Sequence, residues 1–220
     1  MRKKTIGSFF VVVTLMLVFC QISFAQDMKG TFGIGARVAY INYSDDDFSY
    51  SGVNVDVEFD DNILYGGNLT YFVHNYFSFE LSAGYVETDT DLKAAGYVVN
   101  AGEIEQIPIL LTARTHMSTN TKISPYVAVG IGYYLNDFNL SSTASSYLPA
   151  GSELDPDDSI GFHFGAGVEM FFTENLAFTI DAMYIINDAD VQLKVPGSLT
   201  QEKSVNLNNF NVGLGLKFYF

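Results

Sequence analysis

Hydrophobic and polar residues alternate with a period of two along most of this chain. From Phe77 to Tyr85, apolar side chains occupy every second position, and Ser, Glu or Gly occupies each position between them. The segments 159–172 and 206–220 show the same alternation. A pattern of this kind predicts β-strands that have one apolar face and one polar face.

Segments with this alternation are placed eight times along the chain. They span residues 31–43, 62–73, 77–88, 105–116, 123–136, 159–172, 176–188 and 206–220. Each is at least as long as the roughly 9–11 residues with which a tilted strand crosses a bilayer. Three short turns alternate with four long loops, which are residues 44–61, 89–104, 137–158 and 189–205. The predicted fold class is therefore all-β: an eight-stranded antiparallel transmembrane β-barrel with short periplasmic turns and four long extracellular loops.

A water-soluble β-barrel or sandwich also alternates, but its apolar face is turned inward. In this chain every strand carries four or more apolar or aromatic residues on one face, and the other face is rich in Gly, Ser, Thr and Asn. Small residues suit the crowded interior of an eight-stranded barrel, so the apolar face is expected outside. Because lipid offers no hydrogen-bond partners, the first and last strands must also pair, and the alternation that continues through Phe220 predicts that they do.

The first 25 residues indicate export. A positively charged start is followed by an almost uncharged apolar run, and Ser23 and Ala25 supply the small residues that a signal peptidase requires. We expect residues 1–25 to be a cleavable signal peptide and residues 26–220 to be an outer-membrane β-barrel of a Gram-negative-type bacterium. The alternative, an uncleaved helical anchor, needs a longer apolar run of about 20 residues.

The charge balance limits the classes of partner. Without the first 25 residues, the 11 basic residues fall to 8 while all 25 acidic residues stay, so the net charge falls from −14 to −17. Such a surface repels nucleic acid, and the expected partners are outer-membrane lipid, lipopolysaccharide and small hydrophobic solutes. The sequence carries no phosphate loop and no metal-ligand spacing, so we expect neither a cofactor nor a metal site.

Charged residues on the polar faces are expected to lie in the lumen. Because unpaired charges in a confined interior are costly, we expect them to form a paired network that closes or narrows the periplasmic half. The alternative is that they only fill and rigidify the interior. The six residues are Arg37, Glu80, Arg114, Glu169, Asp181 and Lys217.

The same lumenal face becomes apolar toward the outer end of the barrel. An apolar lining is unusual for an ion pore and suits a pocket that admits apolar molecules. The alternative is that these side chains pack against the bases of the loops. The residues are Ile41, Leu64, Val86, Leu110, Tyr134, Met183 and Ile185, with His163 nearby.

Pro108 interrupts an otherwise regular strand. Proline cannot donate a hydrogen bond to the ladder, so within a sheet it marks an edge, a bulge or a local break. In a barrel without free edges, it predicts a weakened seam between the fourth strand and a neighbour. We expect an apolar solute to leave sideways through this seam into the membrane.

No enzymatic activity is expected. Covalent catalysis needs a nucleophile with a base in reach, and His74, His116 and His163 have no serine beside them in a recognisable arrangement. Ser82 and His163 are both expected to face the lumen, which is no more than chance allows.

Several segments together resemble the OmpW family of eight-stranded outer-membrane proteins, most clearly from the fourth strand onward. They are IPIL at 107–110, SPYVAVGIGY at 124–133, GAGVE at 165–169, ENL at 174–176, DAMY at 181–184 and VGLGLKF at 212–218. Members of that family usually carry Trp, which is absent here, and the Tyr-His-Phe that ends their fourth strand is Thr115-His116-Met117 in this chain.

This resemblance implies a function as well as a fold. It implies a porin-like outer-membrane channel that assists the passage of small hydrophobic molecules, with a narrow apolar lumen and a sideways exit. The proline of the family's fourth strand matches Pro108. The alternative function is that of a structural or adhesive OmpA-like barrel with a plugged lumen.

Overall fold

The computed structural model describes residues 27–44, 46–50, 53–94, 97–117, 122–147, 149, 152–194, 196 and 201–220. The predicted signal peptide, residues 1–25, lies outside the described residues. Within them the chain forms strands and one short helix, introduced here in chain order. They are β1 (Phe32–Tyr43), β2 (Asp46–Tyr50), β3 (Val53–Phe59), β4 (Asn62–His74), β5 (Phe77–Ala94), β6 (Tyr97–His116), β7 (Ile123–Leu140), α1 (Ser142–Tyr147), β8 (Glu153–Pro156), β9 (Ser159–Phe171), β10 (Leu176–Ile186), β11 (Asp188–Lys194), β12 (Gln201–Asn206) and β13 (Asn209–Tyr219).

Eight of these strands close into an antiparallel barrel. Their order around the wall is β1, β4, β5, β6, β7, β9, β10 and β13, and β13 returns to pair with β1. The closure extends past the strand ends, since Phe32 and Phe220 exchange backbone hydrogen bonds of 3.1 and 2.8 Å. Closure leaves no strand edge facing lipid, where an unpaired backbone group has no partner. The predicted fold class is confirmed.

The apolar face of each barrel strand points away from the lumen. Leu111, Ile131 and Leu214 are examples, and each is about half exposed on the outer wall. Their neighbours in sequence, such as Thr112 and Gly213, turn inward. A wall that is apolar outside and polar inside is the arrangement of a membrane-embedded barrel. Among the described residues, no helix is both long and apolar enough to cross a membrane.

Exposed tyrosines form a girdle near the outer end of this wall. Three of them donate their hydroxyls to nearby carboxylates, which keeps the polar tip of each ring out of the apolar band. The pairs are Tyr40 with Asp61, Tyr85 with Glu87 (2.9 Å) and Tyr133 with Asp158 (2.8 Å). In the connection before β4, the hydroxyl of Tyr40 and the amide of Asn42 lower the pKa of the Asp61 carboxyl.

The segments predicted as long loops contain much more β-structure than expected. β5, β6 and β7 continue beyond their predicted outer ends, the β2–β3 hairpin adds to the outer part of β5, and β8, β11 and β12 form a separate three-stranded sheet. The physical reason is that strands above the membrane need no lipid-facing side. The hydrogen-bonded ladder therefore continues, while the apolar alternation that reveals a strand in the sequence fades.

The outward apolar face gives a first prediction. Leu214 lies at the middle of β13 with its side chain outside, so replacing it with Arg places a charge near the centre of the bilayer. We expect Leu214→Arg to lower the free energy of unfolding from lipid vesicles by about 2–4 kcal/mol. The matched control is Ser142→Arg on α1, an exposed position outside the barrel wall, which should change it by less than about 0.5 kcal/mol. Equal effects of the two variants would contradict the placement of β13 in lipid.

Candidate functional site

The periplasmic end of the lumen is filled by a small apolar cluster. Met28, Phe72 and Tyr219 are almost completely buried there, together with Ala177, and Phe171 packs against them. The turn that carries Met28 is held in place, because the Gly30 amide donates to the Phe72 carbonyl at 2.8 Å. Sequence reasoning missed this plug, since Met28 precedes the first strand and takes no part in its alternation.

His116 lies just beside this cluster and is bracketed by two serines. Its Nε2 is 3.0 Å from the Ser78 hydroxyl, and its Nδ1 is 3.2 Å from the Ser124 hydroxyl. The prediction that no histidine has an adjacent serine was therefore wrong, because residues 38 and 8 positions apart in sequence meet across the strand ladders. All three side chains are buried, and the rings of Phe72 and Tyr126 flank the imidazole. The arrangement satisfies buried polar groups and leaves the serine oxygens out of reach of a substrate.

A square of four charges lies above the plug. Glu80 and Glu169 each contact both Arg114 and Lys217, and the Lys217 ammonium is 2.5 Å from Glu80 and 3.0 Å from Glu169. All four side chains are at most 6% exposed. The hydroxyl of Tyr219 donates to Glu169 at 2.9 Å. Two positive and two negative charges cancel, which is what a water-poor interior requires.

Arg37 and Asp181 form a second, separate ion pair. The Arg37 guanidinium donates to Asp181 at 2.5 and 3.1 Å, and to the amide oxygen of Asn211 at 2.7 Å. A side chain at Gly213 would collide with this guanidinium, so the glycine makes room for it. The expected network of six charges is thus corrected to a square of four and a pair. Alternation decides which face a residue occupies, but it does not decide the height at which its side chain meets a partner.

A cavity of about 40 Å³ adjoins both charge groups and extends toward the outer half. One water needs about 10–15 Å³ of such space, so the cavity is large enough for about three waters. Part of its wall is polar, with Arg37, Asn68, Gln106 and Asn211. The rest is mainly apolar and comes from residues that the sequence assigned to an apolar lumen: Ile41, Leu64, Leu110, Tyr134, Met183 and Ile185.

The other residues of that predicted lumen have different surroundings. Val86 points inward and packs with Tyr43 and Leu207 in an apolar cluster beneath the outer extension, and Ile41 and Leu64 take part in both places. His163 lies lower, with its Nε2 2.9 Å from the Thr112 hydroxyl, and does not line the cavity. Packing against the loop bases and lining a cavity, which the sequence offered as alternatives, therefore occur side by side.

The β5–β6 ladder beside the cavity is interrupted at Pro108. Residues of β5 and β6 pair in an unbroken register up to Ala83 with Ile109 and again from Val86 with Gln106. Between these pairs, Gly84 and Tyr85 have no ladder partner among the described residues of β6. On the opposite side of β6, by contrast, Pro108 pairs regularly with Tyr134 of β7. We call the unpaired stretch of Gly84 and Tyr85 beside Pro108 the seam.

On its other side, β5 is paired with β4 at the height of the seam but not above it. Its ladder with β4 ends at the pair of Tyr65 and Tyr85. Above that pair, β4 is joined to β5 through the side chain of Asn62, which donates to the Glu87 carbonyl. Gly84 leaves a gap in the inner surface that Leu64 covers, since a methyl group at Gly84 would lie only 2.9–3.2 Å from the Leu64 side chain.

Comparisons with known proteins agree with this architecture. Residues 11–218 match the family model of the outer membrane protein beta-barrel domain. The chain belongs to this family. It is an outer-membrane protein, and its family is one of outer-membrane barrels rather than enzymes. No curated protein sequence matches the chain significantly.

Solved structures support the fold. OprG from Pseudomonas aeruginosa is 20% identical with a TM-score of 0.77, over 89% of this chain and 98% of that one. AlkL, solved in DMPC bilayers, is also 20% identical, with a TM-score of 0.65 over 90% and 93% of the two chains. Outer Membrane Protein W of E. coli is 18% identical, with a TM-score of 0.54 over 89% and 100%. OprG and AlkL are OmpW-type barrels, so the resemblance noticed in the sequence is confirmed for the fold.

The charge square gives a second prediction. Replacing Glu169 with Leu leaves two buried cations to share one carboxylate, and breaking a buried pair in this way costs about 3–5 kcal/mol. We expect a loss of that size in the free energy of unfolding, measured by denaturant titration in lipid vesicles. Asp155→Leu is the control, because it removes a carboxylate from an exposed pair with Lys194 and should cost less than about 1 kcal/mol. Similar losses for the two variants would show that the square is solvated rather than buried.

Proposed function

We propose that this protein assists the passage of small hydrophobic molecules across the outer membrane, and that they leave the lumen sideways through the seam. The observation that carries the proposal is the position of the seam directly beside a partly apolar cavity. Gly84 and Pro108 border both features. A solute in the cavity is therefore separated from lipid by a stretch of wall that lacks its ladder pairs.

The closed periplasmic end supports a sideways route. Below the cavity, a solute meets the charge square and then the cluster of Met28, Phe72 and Tyr219. An apolar molecule that moved downward would have to separate paired buried charges, which is costly. Through the seam it meets the Leu64 side chain, Gly84 and Pro108, none of which is charged, and it emerges among apolar side chains such as Ile107.

The residue type at the seam also lowers the free-energy cost of separating β5 from β6. Pro108 has no backbone N–H, so widening the wall there breaks fewer hydrogen bonds than elsewhere in the barrel. In lipid, each backbone group freed from a ladder loses its partner without gaining water. Two neighbouring strands therefore separate most easily at a proline, which has no N–H hydrogen bond to lose.

A second candidate is a structural or adhesive barrel without transport. The filled periplasmic end favours it, because the charge square and the Met28 cluster rigidify the inner half whether or not a solute passes. The two candidates differ in their dependence on the seam. Uptake of an apolar dye should respond to changes at the seam if the protein transports, and should not respond if the barrel is only structural.

A reversible cross-link tests the route directly. Tyr85→Cys with Ile107→Cys places two thiols opposite each other across the seam, both on the lipid side. We expect oxidation of this double variant to slow the uptake of a fluorescent apolar dye into outer-membrane vesicles, and reduction to restore it. Phe79→Cys with Ala113→Cys, a regular pair on the same two strands, is the control and should respond to neither treatment. Uptake that is equal in the oxidised and reduced forms of the seam variant would refute the sideways exit.

A backbone substitution tests the role of proline. Pro108→Ala restores an N–H donor and allows the ladder to continue across the seam. We expect slower dye uptake and an unchanged or higher free energy of unfolding, because one more ladder bond can form. Pro125→Ala, at the inner end of β7, changes the same residue type away from the seam and should leave uptake as it was. Unchanged dye uptake by Pro108→Ala would show that the proline does not contribute to the sideways exit.

A further inference from the structure

We propose that the side chain of Leu64 closes the seam on its lumenal side and determines the width of the solutes that leave: rod-shaped apolar molecules pass, and broad fused-ring molecules are held back. This inference rests on the proposed function and identifies a residue that determines its specificity. It follows from what covers the seam on the side of the lumen and from the small size of the cavity there.

The lumenal surface beside the seam is formed by two glycines. Gly66 of β4 and Gly84 of β5 pair directly, and both line the cavity. Leu64 covers this surface, because the three atoms nearest to a methyl group added at Gly84 would all belong to the Leu64 side chain, at 2.9–3.2 Å. If Leu64 turned aside, a solute would therefore meet glycine backbone at the point where β5 lacks its ladder partner on β6.

Leu64 can turn aside without breaking a hydrogen bond. Its backbone pairs with Ala39 of β1, and on the other side the ladder of β4 with β5 ends at the pair of Tyr65 and Tyr85. Its side chain is only partly buried, and it packs against the apolar cluster beneath the outer extension as well as lining the cavity. An apolar side chain changes rotamer at the cost of packing contacts alone. Moving Leu64 is thus a smaller change than separating a regular pair of strands.

The cavity is too small to hold a solute while Leu64 stays in place. Its volume of about 40 Å³ has room for about three waters. A passing solute must therefore occupy space that a side chain vacates, since the neighbouring atoms of a packed interior yield little. Leu64 vacates the space of a single side chain, directly in front of Gly84. A rod-shaped hydrocarbon can enter such a space end first, whereas a fused-ring molecule is too broad for it.

Leu110 offers a comparison within the same cavity. It also lines the cavity and also covers a glycine, since a methyl group at Gly132 would lie 2.5 Å from its Cδ2 atom. Behind Gly132, however, β6 pairs with β7 in an unbroken register from Gly102 to His116. The same type of side chain thus covers a regular ladder in one place and the seam in the other.

Two fluorescent hydrocarbons of different width test the proposal. Diphenylhexatriene is a rod and perylene is a broad fused-ring disc, and the entry of each into outer-membrane vesicles is measured with and without the protein. We expect the unaltered protein to accelerate diphenylhexatriene about fivefold more than perylene, because the vacated space is one side chain wide. In Leu64→Ala this ratio should fall to about twofold or less, since the wider space is then permanently open. Leu64→Val, a smaller change, should give an intermediate ratio.

The matched control is Leu110→Ala. It enlarges the same cavity by the same three carbons but does not uncover the seam, so the ratio should stay at the value of the unaltered protein whatever the variant does to the rates. An equal fall of the ratio in both leucine variants would indicate a general loosening of the lumen and would overturn the assignment of Leu64.

A second substitution tests the position of the opening. In the Leu64→Ala background, a methyl group at Gly84 no longer meets the Leu64 atoms that lie closest to it. Gly84→Ala in that background should therefore narrow the opening and return the ratio toward that of the unaltered protein. A ratio that stays low would place the wide route away from Gly84 and would also overturn the proposal.

Failure of this inference and failure of the proposed function give different results. If the seam cross-link slows the uptake of both hydrocarbons but Leu64→Ala and Leu64→Val keep the ratio unchanged, the sideways exit stands and the role of Leu64 is refuted. If the unaltered protein shows no preference between the two hydrocarbons, the selection by width is refuted in the same way. Loss of the proposed function itself is recognised by uptake that ignores the cross-link.

Discussion

The absence of hydrogen-bond partners in lipid is the constraint on which the rest of this structure depends. It requires every barrel strand to be paired on both sides, and it brings β13 back to β1 with the exchange of hydrogen bonds between Phe32 and Phe220. Against this background, the seam beside Pro108 is significant because the ladder of β5 and β6 is regular on both sides of it, from Phe77 to Ala83 and from Val86 to Thr90. Backbone pairing is the strictest requirement on a barrel in lipid, so a stretch of wall where that pairing is missing is a place where function is expected.

Closure with eight strands makes the lumen narrow, and this limits which side chains fit inside it and requires their charges to be paired. Large inward side chains fit because glycines lie beneath them, as Gly213 lies beneath Arg37 and Gly161 beneath Tyr134. Charges in so small a space must be paired, and six of them are divided between the square and the Arg37–Asp181 pair. The lumen is thus a packed interior with one small cavity described in it, rather than an open pore.

The sequence was sufficient to predict the features that depend on alternation. It was insufficient to predict those that depend on the position of a residue along the barrel axis or on irregular backbone. The eight barrel strands and the inward direction of residues such as Ile41 and Lys217 follow from a period of two, because a shift of one residue would reverse every side chain. The division of the charges and the contacts of His116 depend on which residues of distant strands lie at one level, and a single sequence does not contain that register. Met28 and the outer sheets were missed because neither has an apolar face turned to lipid.

The height of the seam has a consequence for the route. Tyr85 borders the seam and also belongs to the outer tyrosine girdle, through its hydrogen bond to Glu87. The proposed exit therefore lies at the level where the apolar band meets the outer headgroups. A molecule that leaves there enters the outer leaflet and still has to cross to the inner leaflet by itself. Under the proposed function, the protein would carry its cargo past the polar outer surface of the membrane, which resists apolar molecules, and the cargo would cross the hydrocarbon interior by ordinary diffusion.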